Sequence, residues 1–362
     1  MKVLVTGACG FIGSHMVEVL AAAGHEVVAG DLPPALDAPP EDRTRWPEVA
    51  RAAGARLMPL DVTDPGMVKE AVTGAELVFH VAAIFDYMAP ESALRAVNVE
   101  GTRNLFEALV ADGSCRRVVN WGAGGIYGLP RPGVLPFRED GPKLPGNPYL
   151  RSKWDQERLA HSFAARGIEI TSVRPTSPYG PRAAYGSGQL LLGLAAQRRP
   201  PAFRNVRTNV PFGHVVDLCR AALFLAELPR AAGEAYNVTD AGRLTAIDVA
   251  RIVADEIGTK PMVLPPVPLR AMRKVLTGAA VASAAIARRR GTRPLLERDQ
   301  MEYFGRDFLY SIEKLEETGF EMEWPKPEPG LRETLRWYLD NGWIERKRTA
   351  RRTEGGNIGR GW

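Results

Sequence analysis

The chain has 362 residues, 45% of them hydrophobic and 25% charged, enough for one large α/β domain or two closely joined ones around a sizeable core. Its net charge of +5 does not point to nucleic acid: the end Arg346–Trp362 carries six of the 47 Lys/Arg and one of the 42 Asp/Glu, which leaves 41 of each sign in the body. Three cysteines (Cys9, Cys115, Cys219) in no CxxC pair give no disulfide or zinc framework and fit a reducing cytoplasm, and no apolar run approaches the ~20 residues of a membrane span.

Met1 leads directly into KVLVTG, a strand-like run, so the sequence predicts no signal peptide ahead of the fold. Gly7, Gly10 and Gly13 follow in VTGACGFIGSH, at the start of the helical pattern Phe11–Gly24. Glycines at a strand–turn–helix junction let the backbone approach a pyrophosphate, and the helix N-terminus offers free N–H groups to it. The next run, HEVVAGD, ends on Asp31, placed to accept hydrogen bonds from ribose hydroxyls and to repel a 2′-phosphate, which favours NAD over NADP. A third run ends in LDVTD, where Asp61 and Val62 are placed to flank an adenine; Asp61 fits helix capping equally well, and Asp64 fits it better. ELVFHVAA is a fourth strand, followed by IFDYMAPE, whose Phe85, Tyr87 and Met88 either line an apolar pocket or pack under a lobe. A helix is predicted over Ala93–Gly113, then a fifth strand in RRVVNWG and a sixth in IEITSVRP. Near-continuous Val/Ile/Leu strands alternating with helices predict an α/β fold with a doubly wound parallel Rossmann sheet.

Between the last two strands lies NWGAGGIYG, Asn120–Gly128. It reads either as a second phosphate loop or as the end of a catalytic strand. The second reading is preferred, because the pyrophosphate already has its loop and the following LPRPGVLPFRED is no helix start. After it, NPYLRSKWDQERLAH places Tyr149 and Lys153 four apart, on one face of a helix. A phenol is a poor acid or base at neutral pH unless a nearby cation stabilises its phenolate, and a lysine one turn away does that.

Beyond Pro175 the pattern becomes irregular. Residues 1–175 are expected to form the NAD-binding domain, with 205–238 returning to it. Residues 176–204 and 239–345 are expected to form a smaller C-terminal substrate-binding lobe, and 346–362 a basic disordered tail. The Ala/Val-rich stretch Val275–Ala287, followed by Arg288–Arg290, is too short to span a bilayer and reads as a packing helix or a substrate cover. No His/Cys/Asp cluster has metal-ligand spacing, so no metal site is predicted.

These motifs resemble, in order, the extended short-chain dehydrogenase/reductase family, its NAD-dependent epimerase/dehydratase group. The resemblance runs over TGACGFIGSH, Asp31, LDVTD, FHVAA, VNVEGT, Tyr149–Lys153, RPTSPYGP and HVVD, roughly Met1 to Trp343. It implies that Phe11 and Ile12 join the pyrophosphate turn and that Ala82 and Ala83 line the cofactor. It implies that Asn98 helps position the active-site helix, that Pro175 begins the segment leading to the substrate lobe, and that the protein is a cytoplasmic homodimer. The family usually has Ser or Thr where this chain has Ala123. Losing one oriented hydrogen bond to a developing oxyanion typically costs ~3 kcal/mol in the barrier. Tyr127, Thr176, Ser177 or a bound water are the candidates to replace it. The segment before HVVD lacks the GDG…RDF pattern of nucleotide-sugar enzymes, and the sequence is closest in flavour to the 3β-hydroxysteroid dehydrogenase-like branch. The expected function is therefore NAD-dependent oxidation or reduction of a fairly apolar secondary alcohol or ketone, steroid-like cyclic ones included. An NDP-sugar 4-epimerase or dehydratase with tightly held NAD is the alternative, and a weakly catalytic NAD-responsive binding protein the third reading.

Overall fold

The computed structural model describes residues 1–290, 301 and 303–347. Most of the tail expected at 346–362 lies outside these residues. Strands β1 (Lys2–Thr6), β2 (Glu26–Asp31), β3 (Arg56–Pro59), β4 (Leu77–His80), β5 (Arg117–Trp121) and β6 (Glu169–Pro175) follow the six apolar runs. β7 (Pro178–Tyr179), β8 (Pro201–Phe203), β9 (Gly213–His214), β10 (Ala235–Val238) and β11 (Met262–Leu264) lie beyond Pro175. One seven-stranded, all-parallel sheet runs β10-β6-β5-β4-β1-β2-β3. β10 therefore joins the sheet from far down the chain, pairing Ala235–Val238 with Ser172–Pro175.

Each face of the sheet carries its own core. Helices Phe11–Ala22 and Val215–Glu227 bury Met16, Leu20, Leu218 and Leu225 against Val3, Val5 and Phe79. Helices Pro65–Val72, Thr102–Asp112 and Pro148–Ser162 bury Val68, Leu105, Phe106 and Ala160 against Leu4, Val78 and Val118. Burial on both sides explains why these strands read as continuous apolar runs. A third core gathers Tyr179, Leu191, Phe212, Val253, Leu335 and Tyr338, from β7, the segment before β9 and helices Ser187–Ala196, Ala246–Glu256 and Pro327–Asp340. Val275–Ala287 falls within helix Leu269–Arg290, and among the described residues no helix is long and apolar enough to cross a membrane.

Two local features depart from the sequence reading. The helix expected over Ala93–Gly113 is broken by a π-helical turn at Arg95–Gly101. There the Thr102 hydroxyl donates to the Asn98 carbonyl at 2.8 Å, and a side chain entering the ladder in this way widens it. The fifth strand stops at Trp121. Ala123 is extended, and Gly124–Tyr127 closes a tight 3₁₀ turn that brings the chain under the Tyr149 helix.

Candidate active site

The candidate site residues gather at the carboxyl ends of β1, β2, β4 and β5. At the proposed cofactor end, β1 gives way to a turn closed by the Gly10 N–H donating to the Gly7 carbonyl at 3.1 Å. No side chain caps the helix that starts at Phe11, so its first N–H groups remain for a ligand. A Cβ on Gly13 would stand 2.0 Å from the Gly7 oxygen, which explains why a residue without one occupies that turn. Asp31 is buried at the end of β2. Its Oδ2 accepts from Cys9 N and its Oδ1 from Leu32 N, both at 2.8 Å. Burial raises its pKa, and these two bonds oppose the rise. Each oxygen keeps a lone pair for a further donor. Asp61 accepts from Thr63 N and Oγ1 at 2.8 and 2.7 Å, while Asp64 caps the following helix through Gly66 N and Met67 N. Val62 packs against Gly101, and its carbonyl takes Asn104 Nδ2 at 3.1 Å. Ala82 lies against Gly7, with Ala83 next to it in the half-buried run after β4, and Pro175 is the last residue of β6.

The buried residues between the two ends are polar. The Ala82 N–H donates to Thr6 Oγ1 (3.1 Å), Thr6 Oγ1 meets His80 Nδ1 (2.9 Å), His80 Nε2 meets Thr102 Oγ1 (2.8 Å), and Thr102 donates to Asn98 O. Because Thr102 donates to Asn98 O, these roles place a proton on Nε2, and the neutral ring's Nδ1 then accepts from the Thr6 hydroxyl. Burial agrees with that, pushing His80 down to about 3, with Lys153 adding to the shift. The Asn98 side chain accepts from Ile84 N at 2.8 Å and donates to Ser152 Oγ at 2.9 Å, and Ser152 donates to Tyr149 O. Asn98 thus ties the chain after β4 to the first turn of the Tyr149 helix.

That helix starts on Asn147, whose Oδ1 accepts from Leu150 N at 2.8 Å, with Pro148 at the first helical position. Gly125 meets Leu150 so closely that a Cβ there would stand 2.7 Å from Leu150 Cδ2. Tyr149 and Lys153 are both buried. Burial holds the Tyr149 phenol well above its ordinary range, with Tyr303 adding to the shift. Burial pushes the Lys153 ammonium down to about 7, and Glu157 pulls it back. The Tyr149 ring stands edge-on to Phe85 and Tyr87, at 5.3 and 5.4 Å between centroids. Ala123 is buried in the same cluster as Tyr149, Tyr127 and Phe308, with Tyr87, Tyr303 and Tyr310 packed against it.

Two of the expected substitutes for the hydroxyl missing at Ala123 have hydroxyls that are already bonded elsewhere. The Tyr127 hydroxyl donates to Asn237 Oδ1 at 2.6 Å and accepts from Arg174 Nη1 at 2.7 Å, in a network anchored by the buried Arg174–Glu157 pair. The Thr176 hydroxyl donates to Thr239 Oγ1 at 2.6 Å. Ser177 is exposed. Sequence reasoning missed Tyr303, Phe308 and Tyr310. Backbone bonds from Phe137 N to Leu309 O (2.8 Å) and from Ser311 N to Phe137 O (2.9 Å) hold their segment beside this cluster. Asn209 Nδ2 adds a bond to Phe308 O at 2.9 Å. The one available signal was the aromatic density of YFGRDFLY, Tyr303–Tyr310.

A glycine turn with a free helix end, an acidic residue closing β2 and a Tyr–Lys helix pair together fit NAD. The model of the NAD dependent epimerase/dehydratase family matches residues 3–239, more than half of the chain. The protein belongs to this family. It is 30% identical to a dihydroflavonol 4-reductase of Zea mays over 244 residues, 64% of this chain and 68% of that one. It is 25% identical to a dTDP-glucose 4,6-dehydratase of Streptomyces niveus over 360 residues, 95% of each. The solved Thermus thermophilus UDP-glucose 4-epimerase, in complex with NAD, aligns with a TM-score of 0.68 at 25% identity over 93% of this chain and 99% of that one. As a member of this family, the chain is an NAD-dependent enzyme. Its relatives include a reductase, a dehydratase and an epimerase, and they do not single out the steroid-type branch.

Proposed function

We propose that this family member is a dehydrogenase or ketoreductase of a fairly apolar, cyclic secondary alcohol or ketone, with Tyr149 as acid and base. The aromatic cluster around Tyr149 carries this reading: Phe85 and Tyr87 stand edge-on to its ring, Phe308 belongs to the same cluster, and Tyr303 and Tyr310 pack against it. Aromatic surroundings suit a flat apolar ring better than a sugar. Gly7, Gly10, Phe11, Ile12, Gly13 and Asp31 would hold the cofactor's phosphates and ribose, and NAD, when bound, supplies the acceptor or donor of a hydride.

The chain's own part is proton transfer. With its pKa raised by burial, Tyr149 stands protonated, the form that donates to a ketone oxygen. In the alcohol-oxidising direction the phenol must lose its proton, and the Lys153 ammonium favours that phenolate. Ala123 leaves only a methyl where the family places a hydroxyl. The enzyme is further read as a homodimer through the helical stretches 98–111 and 149–165, which light scattering tests.

The likeness to the Streptomyces niveus dehydratase over nearly the whole of both chains supports a second reading, an NDP-sugar 4-epimerase or dehydratase. Thermal shift in the presence of NADH separates the two, because a ligand that binds only the folded state raises the melting temperature. Cyclic ketones should raise it and UDP- or dTDP-sugars should not. The opposite pattern overturns the first reading in favour of the second.

A further inference from the structure

Three fully buried polar side chains, Asn120 on β5, Ser172 on β6 and Gln156 on the Tyr149 helix, lie where the strands otherwise bury apolar groups. Burying such groups is unfavourable unless each finds a partner. Here they are bonded in one line. Lys153 Nζ donates to Gln156 Oε1 at 2.5 Å, Gln156 Nε2 donates to Asn120 Oδ1 at 3.2 Å, and Asn120 Nδ2 donates to Ser172 Oγ at 3.3 Å. Ser172 Oγ meets His161 Nε2 at 2.9 Å. Asn120 and Ser172 sit opposite each other in the β5–β6 register, so the far end of the line is fixed by the sheet itself. An amide held through its nitrogen can present only its oxygen to Lys153. The ammonium has three donors, and this bond uses one.

We propose that Gln156 is a positioning residue, whose carboxamide, locked from behind by Asn120, aims the Lys153 ammonium at Tyr149 and the cofactor. The inference rests on the role given above to Lys153. It does not depend on which substrate is turned over. A neutral acceptor at hydrogen-bond distance favours the charged amine, and burial opposes it. Among the described residues, the titratable groups that couple to Lys153 are Glu157 on its own helix and His80 at the end of β4. Arg174 is already paired with Glu157. Gln156 is therefore the neutral group whose replacement moves Lys153 in a chosen direction. Leucine removes the acceptor and glutamate adds a charge of opposite sign.

NADH fluorescence titrations of the purified protein across pH test this without any substrate. Gln156→Leu should weaken NADH binding about tenfold near neutral pH and move the midpoint of its pH dependence down by about one unit. Gln156→Glu should move the midpoint up, and Lys153→Met should remove the step in either background. Gln156→Glu fits the same space and carries the test if the leucine variant does not fold. Variants that lose thermal stability but keep the wild-type affinity and pH midpoint would overturn the proposal, since a merely structural glutamine gives that result. Failure of the wild type to oxidise cyclic alcohols would overturn the proposed substrate class and leave this outcome unaffected.

Discussion

The two ends of the site are built in opposite ways. At the proposed cofactor end, the groups on offer are backbone N–H donors and one carboxylate, all supplied within the first thirty-odd residues. At the Tyr149 end, a packed cluster gathers rings from the loop after β4, the turn after β5, the Tyr149 helix and a segment beyond residue 300. The first end is a local device, set by turn chemistry and a helix terminus. The second is a long-range assembly, in which each wall comes from a different stretch of chain. Substitutions at the first should abolish binding whatever the substrate. Substitutions among the rings of the second should change turnover and substrate choice while NADH still binds.

The largest effect should come from Tyr149→Phe. Turnover should fall by about 10³-fold, the scale of a lost general acid–base, with NADH affinity kept, as stopped-flow and fluorescence titration would show. Joint loss of binding would blur the two ends. Gly13→Val should do the reverse, because its Cβ meets the Gly7 oxygen at 2.0 Å. NADH affinity should drop by more than about 100-fold, measured by calorimetry on folded protein.

His80 lies between the ends and sharpens the comparison through pH. Its folded pKa, about 3, is far below the ordinary 6.5. Its contribution to stability is therefore complete above about pH 6.5 and is lost as pH falls toward 3, at up to ~1.4 kcal/mol per unit. Buried His15, also pushed down, adds to the same slope. Urea midpoints at about pH 7 and about pH 5 should show the wild type losing more than His80→Gln. Equal losses would show that His80 does not carry the slope. The smallest effect is expected from Ala123→Ser, which restores the family's hydroxyl. It should raise turnover of small ketones about threefold to tenfold if the site is merely short of a donor. Lower turnover with intact NADH binding would show that the small side chain is there to make room.

The sheet was legible because its strands are buried on both faces and read as apolar runs. The glycine turn, Asp31, Tyr149 and Lys153 were legible because each belongs to a short motif with a fixed position in the fold. The π-helical turn was hidden, since Asn98 and Thr102 look like ordinary helix residues until the Thr102 hydroxyl is seen on the Asn98 carbonyl. Tyr303 and Tyr310 were hidden because nothing local to their segment says that it pairs with Phe137. Tyr127 misled in the other direction: its motif places it beside the site, but Arg174 and Asn237 take its hydroxyl.

The most direct measurement is NADH absorbance, with the protein, NAD and two sets of compounds. Alicyclic alcohols, hydroxysteroids among them, should give net NADH that Tyr149→Phe abolishes, while UDP- and dTDP-sugars should be left unchanged. Silence across the alcohols, together with conversion of an NDP-sugar without net NADH, would contradict the account.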